Sequence, residues 1–165
     1  MIQINVGDHS GAENNVPFLP IPETWRDELR WARLRAISVA QNNPAADRYF
    51  RSLPRGRTLS SLVSDSSIWI NYFNHPDVYG FTFTNSNLWL SDAALRGGRW
   101  LVLATVVHEL AHIAGAIGGV TLCSTWTSPC HAAERAVMEC GLGTRAEFTT
   151  GRDNPRTPYI PGISG

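Results

Sequence analysis

Between Arg99 and Ala116 almost every position is apolar, including Trp100, Leu101, Val102, Leu103, Ala104, Val106, Val107, Leu110, Ala111, Ile113 and Ala114. A helix that is apolar nearly all round is buried on all sides. The run therefore predicts a central helix over 99–116, ended by Gly115, Gly118 and Gly119. Upstream, Leu29, Ala32, Leu34, Ala36 and Ile37 recur at helical spacing. They predict a helix over 25–41, capped by Thr24 with Asp27 three residues on, its Arg residues in solvent. A shorter helix is predicted over 45–52, stopped by Pro54. The middle of the chain changes period. Residues 67–73 and 79–84 are aromatic and β-branched, and the Asn74-His75-Pro76-Asp77 segment between them predicts two strands joined by a turn. A third short strand is expected over 87–90, with Ser91 and Asp92 starting a helical turn. Ser128 as cap, Pro129 at the first helical position and Gly141 beyond the end predict a last helix over 129–140. Residues 1–22, rich in Gly, Asn and Pro, are expected to form an extended arm, and 151–165 an extended tail. The whole reads as one α+β domain over 1–165, with a small mixed or antiparallel sheet packed on the buried helix.

Three ionisable groups interrupt that helix: His108, Glu109 and His112. Burying them is costly unless they are paired or bound to a metal. Residues four apart lie one turn from each other on one helix face, so His108 and His112 can bind one Zn²⁺ through their imidazoles. Glu109 projects about 100° away around the helix, where it can reach a water on the metal without ligating it. In that place it would act as the general base that takes a proton from the water attacking a carbonyl carbon. No G-x-S-x-G elbow, phosphate-binding Gly loop, C-x-x-C pair or dinucleotide fingerprint offers a competing chemistry. His9 and His75 lie in polar, turn-like segments and are expected to be exposed.

Composition narrows the partners. A chain of 165 residues suits one domain with its own core, and 43% hydrophobic against 17% charged residues is an ordinary globular balance, slightly poor in charge. The 14 basic and 14 acidic side chains cancel, which argues against a nucleic-acid partner. All the basic residues are Arg. GC-rich coding would give that bias, and so would escape from ubiquitin tagging, which needs a lysine amine. No apolar run approaches the roughly 18 residues of a membrane span, and residues 1–22 lack the pattern of a Sec signal peptide. No membrane partner is expected, and the chain is expected in the cytoplasm or exported by a non-Sec route. Cys123 and Cys130 flank a short loop and could pair in an oxidising compartment, leaving Cys140 over; three buried thiols fit equally well.

The segment His108-Glu109-Leu110-Ala111-His112, with the order of strands, helix and later helix over 67–140, resembles the zincin (HExxH) metallopeptidases. The resemblance implies a zincin-like fold, one catalytic Zn²⁺, Glu109 as general base and hydrolysis of a protein or peptide substrate held beside an edge strand, here within 81–90. A metzincin would place a third His where Gly118 stands, so that branch does not fit. An aspzincin would have Asp at position 146; Gly143 and Thr144 match its pattern, Arg145 and Ala146 follow, and Glu147 lies one place too far. A gluzincin takes its third ligand from a later helix, and Glu134 lies 22 residues beyond His112. The match is to a minimal gluzincin, with Met138 where that family has an Asp. His131, one turn before Glu134, is the rival ligand, or a catalytic group at the developing oxyanion. Tyr72, Tyr79 and Tyr159 are further candidates for that contact, and Asn85 or Asn87 for a substrate peptide group. The same residues also suit a delivered bacterial toxin or effector protease with one target, a zinc amidase acting on cell-wall peptides, or a non-catalytic metal-stabilised binding module.

Overall fold

A computed structural model describes residues 1–83, 86–117, 119–122, 127–142 and 152–153. Its centre is a four-stranded mixed sheet in the order β1-β4-β6-β5, built from β1 (Gln3–Ile4), β4 (Trp69–Phe73), β6 (Asn87–Ser91) and β5 (Gly80–Thr82). β1 and β6 both run parallel to β4, while β5 is antiparallel to β6 and forms one edge. The helices are α1 (Arg26–Asn42), α2 (Pro44–Ser52), α3 (Leu59–Ser64), α4 (Asp92–Arg96), α5 (Arg99–Ile113) and α6 (Ala132–Glu139). A hairpin of β2 (Ala12–Glu13) and β3 (Val16–Pro17) precedes them, and β7 (Gly119–Leu122) pairs antiparallel with β8 (Arg152–Asp153). The chain is therefore α+β, and no helix among the described residues is long and apolar enough to cross a membrane.

Strand alternation sorts the side chains of the sheet. Ile4, Ile70, Leu88 and Leu90 join the main core with α1 and α5. The opposite face carries Trp69, Phe73, Phe81 and Trp89, with Asn5, Asn71 and Asn87 beside them. Across this second face lies the N-terminal segment, where the Trp89 indole donates to the Pro17 carbonyl and His9 stacks between Phe18 and Trp69. Residues 1–22 are thus a working part of the sheet rather than a free arm: Ile2 and Ile21 are fully buried. His9 is likewise half-buried and bonded to Asn87, not a solvent-exposed turn residue.

Other expectations need correction. β4 and β5 are not hairpin partners, because β6 lies between them and the antiparallel pair is β5 with β6. All five residues of β6 are buried, as suits a strand flanked on both sides and covered on both faces. Thr24 does not cap α1. It sits inside a 3₁₀ turn, Glu23–Trp25, and α1 begins with no side-chain cap. Leu34 faces solvent; the buried stripe is Leu29, Ala32, Ala36 and Ala40. Pro129–His131 is a 3₁₀ turn leading into α6, again without a side-chain cap from Ser128. By contrast Asn43 caps α2 and Ser91 caps α4 through their side-chain oxygens. Cys130 is disulfide-bonded, while Cys140 is a free buried thiol whose pKa is pushed up to about 12 by burial. Cys123, Gly118, Asn85, Tyr159, residues 143–147 and, apart from 152–153, the tail lie outside the described residues.

Candidate active site

α5 packs against α1, α4, α6 and the strands β5 and β6, which is why Val102 through Ala111 are buried without a break. His108 and Glu109 fall within that stretch, and His112 follows at its end, half-buried. The imidazoles of His108 and His112 converge, with their Nε2 atoms 3.1 Å apart. The Nδ1 atom of His112 lies 3.0 Å from the Ala116 carbonyl. A carbonyl only accepts, so the proton of the neutral ring sits on Nδ1 and the Nε2 lone pair faces His108. That is the tautomer a metal-ligating histidine needs.

The helix end supplies this carbonyl. Gly115 adopts φ +100, and the amides of Gly115 and Ala116 bond back to the carbonyls of His112 and Ala111. These are the two bonds of a Schellman turn, and the left-handed residue brings the Ala116 carbonyl back over the last turn. The acceptor that orients His112 is thus a backbone group. Gly115 was its only sign in the sequence.

The pair fits a tetrahedral metal. Two nitrogens 3.1 Å apart, each about 2.05 Å from one ion, subtend about 98° there. Burial lowers the pKa of both rings, that of His108 well below the ordinary value with His112 adding to the effect, and that of His112 against the pull of the Ala116 carbonyl. Both are therefore neutral at pH 7, the form in which an imidazole can ligate a metal.

Glu109 is buried among apolar groups, and burial raises its pKa to about 8, against the opposing hydrogen bond from Thr82. The Thr82 hydroxyl on β5 donates to Oε2 at 2.9 Å. Gly80 on the same strand lies so close that a Cβ there would be 2.9 Å from Oε1. Neither residue stood out in the sequence, although the alternation of Thr82 with Phe81 and Phe83 places it on the face turned to α5.

His131 and Glu134 are both buried and form a second pair, Nδ1 to Oε1 3.9 Å. α6 packs on α5 and is braced from the side. Tyr49 donates to the Ala132 carbonyl, Arg135 donates to the Tyr49 hydroxyl and the Ser128 carbonyl, and Asn43 donates to the Glu139 carbonyl. Among the described residues no group of three or more His, Cys, Asp or Glu converges as a metal site. The structure brings His108 to His112 on α5 and His131 to Glu134 on α6. Tyr72 donates its hydroxyl to Asp92. Asn87 bonds His9, Asn71 and Glu13 on the sheet face remote from Glu109. It therefore does not face the candidate site.

These buried groups set a pH dependence for the metal-free chain. Glu109 has a folded pKa of about 8 against 4.5 for an ordinary glutamate carboxyl. Its raised pKa favours the fold below 4.5, and that advantage is lost as pH rises towards 8. The histidines are lowered from 6.5, so their contribution is present above 6.5 and lost as pH falls. From pH 6.5 to 8 only the Glu109 effect remains, costing about 2 kcal/mol at roughly 1.4 kcal/mol per pH unit. Denaturant unfolding should show stability falling along this alkaline limb, and Glu109→Gln should flatten it. A limb of equal slope in the variant would assign it to another group.

No family model matches the chain, and neither a curated protein nor a solved structure is significantly similar to it.

Proposed function

We propose that this chain is a zinc-dependent peptidase of zincin-like architecture, in which His108, His112 and Glu134 hold one Zn²⁺ and Glu109 is the general base. The observation that carries the reading is the convergence of two neutral imidazole nitrogens, 3.1 Å apart, next to a buried carboxylate that the helix turns towards edge strand β5. Zinc held there would polarise the scissile carbonyl and acidify the attacking water. The chain's own groups do the rest. Ala116 fixes the His112 tautomer, and Gly115 makes that contact possible. Glu109 takes the water proton and returns it to the leaving amine. Burial favours the proton-holding form of this carboxyl, which suits the second of those transfers. Among the described residues β5 is an edge strand, whose outer backbone donors and acceptors could take an extended peptide, and the Thr82 contact brings that edge beside Glu109. A carboxylate third ligand offsets one of the two charges on the metal, while both histidines stay neutral.

The test is metal content together with hydrolysis. The purified chain should carry one zinc and cleave unfolded casein. Removal of the metal with a chelator should abolish cleavage, and added Zn²⁺ should restore it. A zinc-loaded chain that cleaves neither casein nor a broad peptide library would overturn the peptidase reading.

A further inference from the structure

The Glu109 carboxylate has two chemically distinct oxygens. Oε2 accepts the Thr82 hydroxyl at 2.9 Å. Oε1 lies against Gly80 and accepts no hydrogen bond among the described residues. The Gly80 site is built tight: an added Cβ would lie 2.9 Å from Oε1, from the Thr105 methyl and from the Trp89 carbonyl. Thr105 spends its own hydroxyl on the Leu101 carbonyl, so its methyl, not its oxygen, faces Gly80. One oxygen is therefore tied to the sheet edge, and the other has room only because residue 80 has no side chain.

We propose that Thr82 is the positioning residue of Glu109: its hydroxyl ties down Oε2 and thereby leaves Oε1, in the space opened by Gly80, as the oxygen that takes the proton. The proposal rests on the peptidase reading for its consequence in catalysis, though not for the contact itself. A glutamate has three side-chain torsions, and an untethered carboxylate would sample several of them. The single hydrogen bond from a rigid strand selects one. It also couples the base to the strand beside which the substrate would lie, so a shift of β5 moves the base with it.

Two variants separate this from packing. Thr82→Val keeps the shape and removes the hydroxyl; Thr82→Ser keeps the hydroxyl. In the zinc-loaded chain, Thr82→Val should lower kcat on casein by about 10- to 100-fold, with KM and the zinc Kd within about twofold. Thr82→Ser should stay within about threefold of the parent. A second readout needs no activity. In thermal unfolding of the zinc-free chain, Thr82→Val should lower Tm by about 3 °C. It should lower it by less than about 1 °C when Glu109→Leu has already removed the acceptor. Equal Tm losses in both backgrounds, an unchanged kcat in Thr82→Val, or equal kcat losses in the Val and Ser variants would overturn the proposal. If the zinc-loaded parent cleaves nothing, the peptidase reading falls, and the unfolding cycle alone decides whether Thr82 holds Glu109.

Discussion

Glu109→Gln should keep the bound zinc and lose turnover by about 100- to 10,000-fold, the range expected when a positioned general base is removed. Glutamine has the shape of glutamate, and its amide oxygen can still accept the Thr82 hydroxyl that now reaches Oε2. Packing in the buried seat beside Gly80 is then unchanged, and only the ability to accept a proton is gone. Because Glu109 is not assigned as a ligand, the zinc Kd should move by less than about threefold, far below the effect of removing a direct ligand. The variant should also gain stability in the zinc-free state above pH 6.5, since it no longer buries a carboxyl whose pKa is about 8. Steady-state kinetics and metal titration on the same preparation check both halves. A variant that retains turnover would remove Glu109 from the mechanism, whatever its metal content.

The next largest effect is expected for Glu134→Ala, which should weaken zinc binding by more than about 100-fold, beyond the 10- to 100-fold typical of an outer-shell partner. Catalytic zinc is normally held by three protein ligands, and on the peptidase reading His108 and His112 would supply two. Glu134 is buried on α6, a helix packed on α5 and tied to α2 by the Tyr49, Arg135 and Asn43 bonds. His131 lies 3.9 Å from Glu134, beyond a hydrogen bond, and is read as a group that contacts the reacting carbonyl oxygen. His131→Ala should accordingly reduce kcat while costing at most about tenfold in zinc affinity. Competition titration with a chromophoric chelator measures both variants. The reverse ranking would make His131 the ligand and Glu134 its supporting acceptor.

The core of this site was legible in the sequence because its geometry is local. Four residues along a helix fix the relation of His108 to His112 regardless of what surrounds them, and the unbroken apolar run marks α5 as buried before any partner is known. The last helix and the positions of Asn87–Ser91 followed from similarly local signals. Pairing between strands is another matter. Residues 69–73 and 80–82 read as neighbours along the chain, yet β6 is inserted between them, since chain order does not say which edges meet. The N-terminal residues looked like an arm because their Gly, Asn and Pro content outweighed the alternation of Ile2 and Ile4, which makes β1. Thr24 looked like a cap by type, but a 3₁₀ turn had already enclosed it. The sequence by itself determined that His108, Glu109 and His112 share one helix at fixed spacing and that this helix is buried. Only the tertiary structure decided which carbonyl orients His112, which strand seats Glu109, and which side chains accompany Glu134, because those contacts join residues whose proximity is set by packing rather than by spacing.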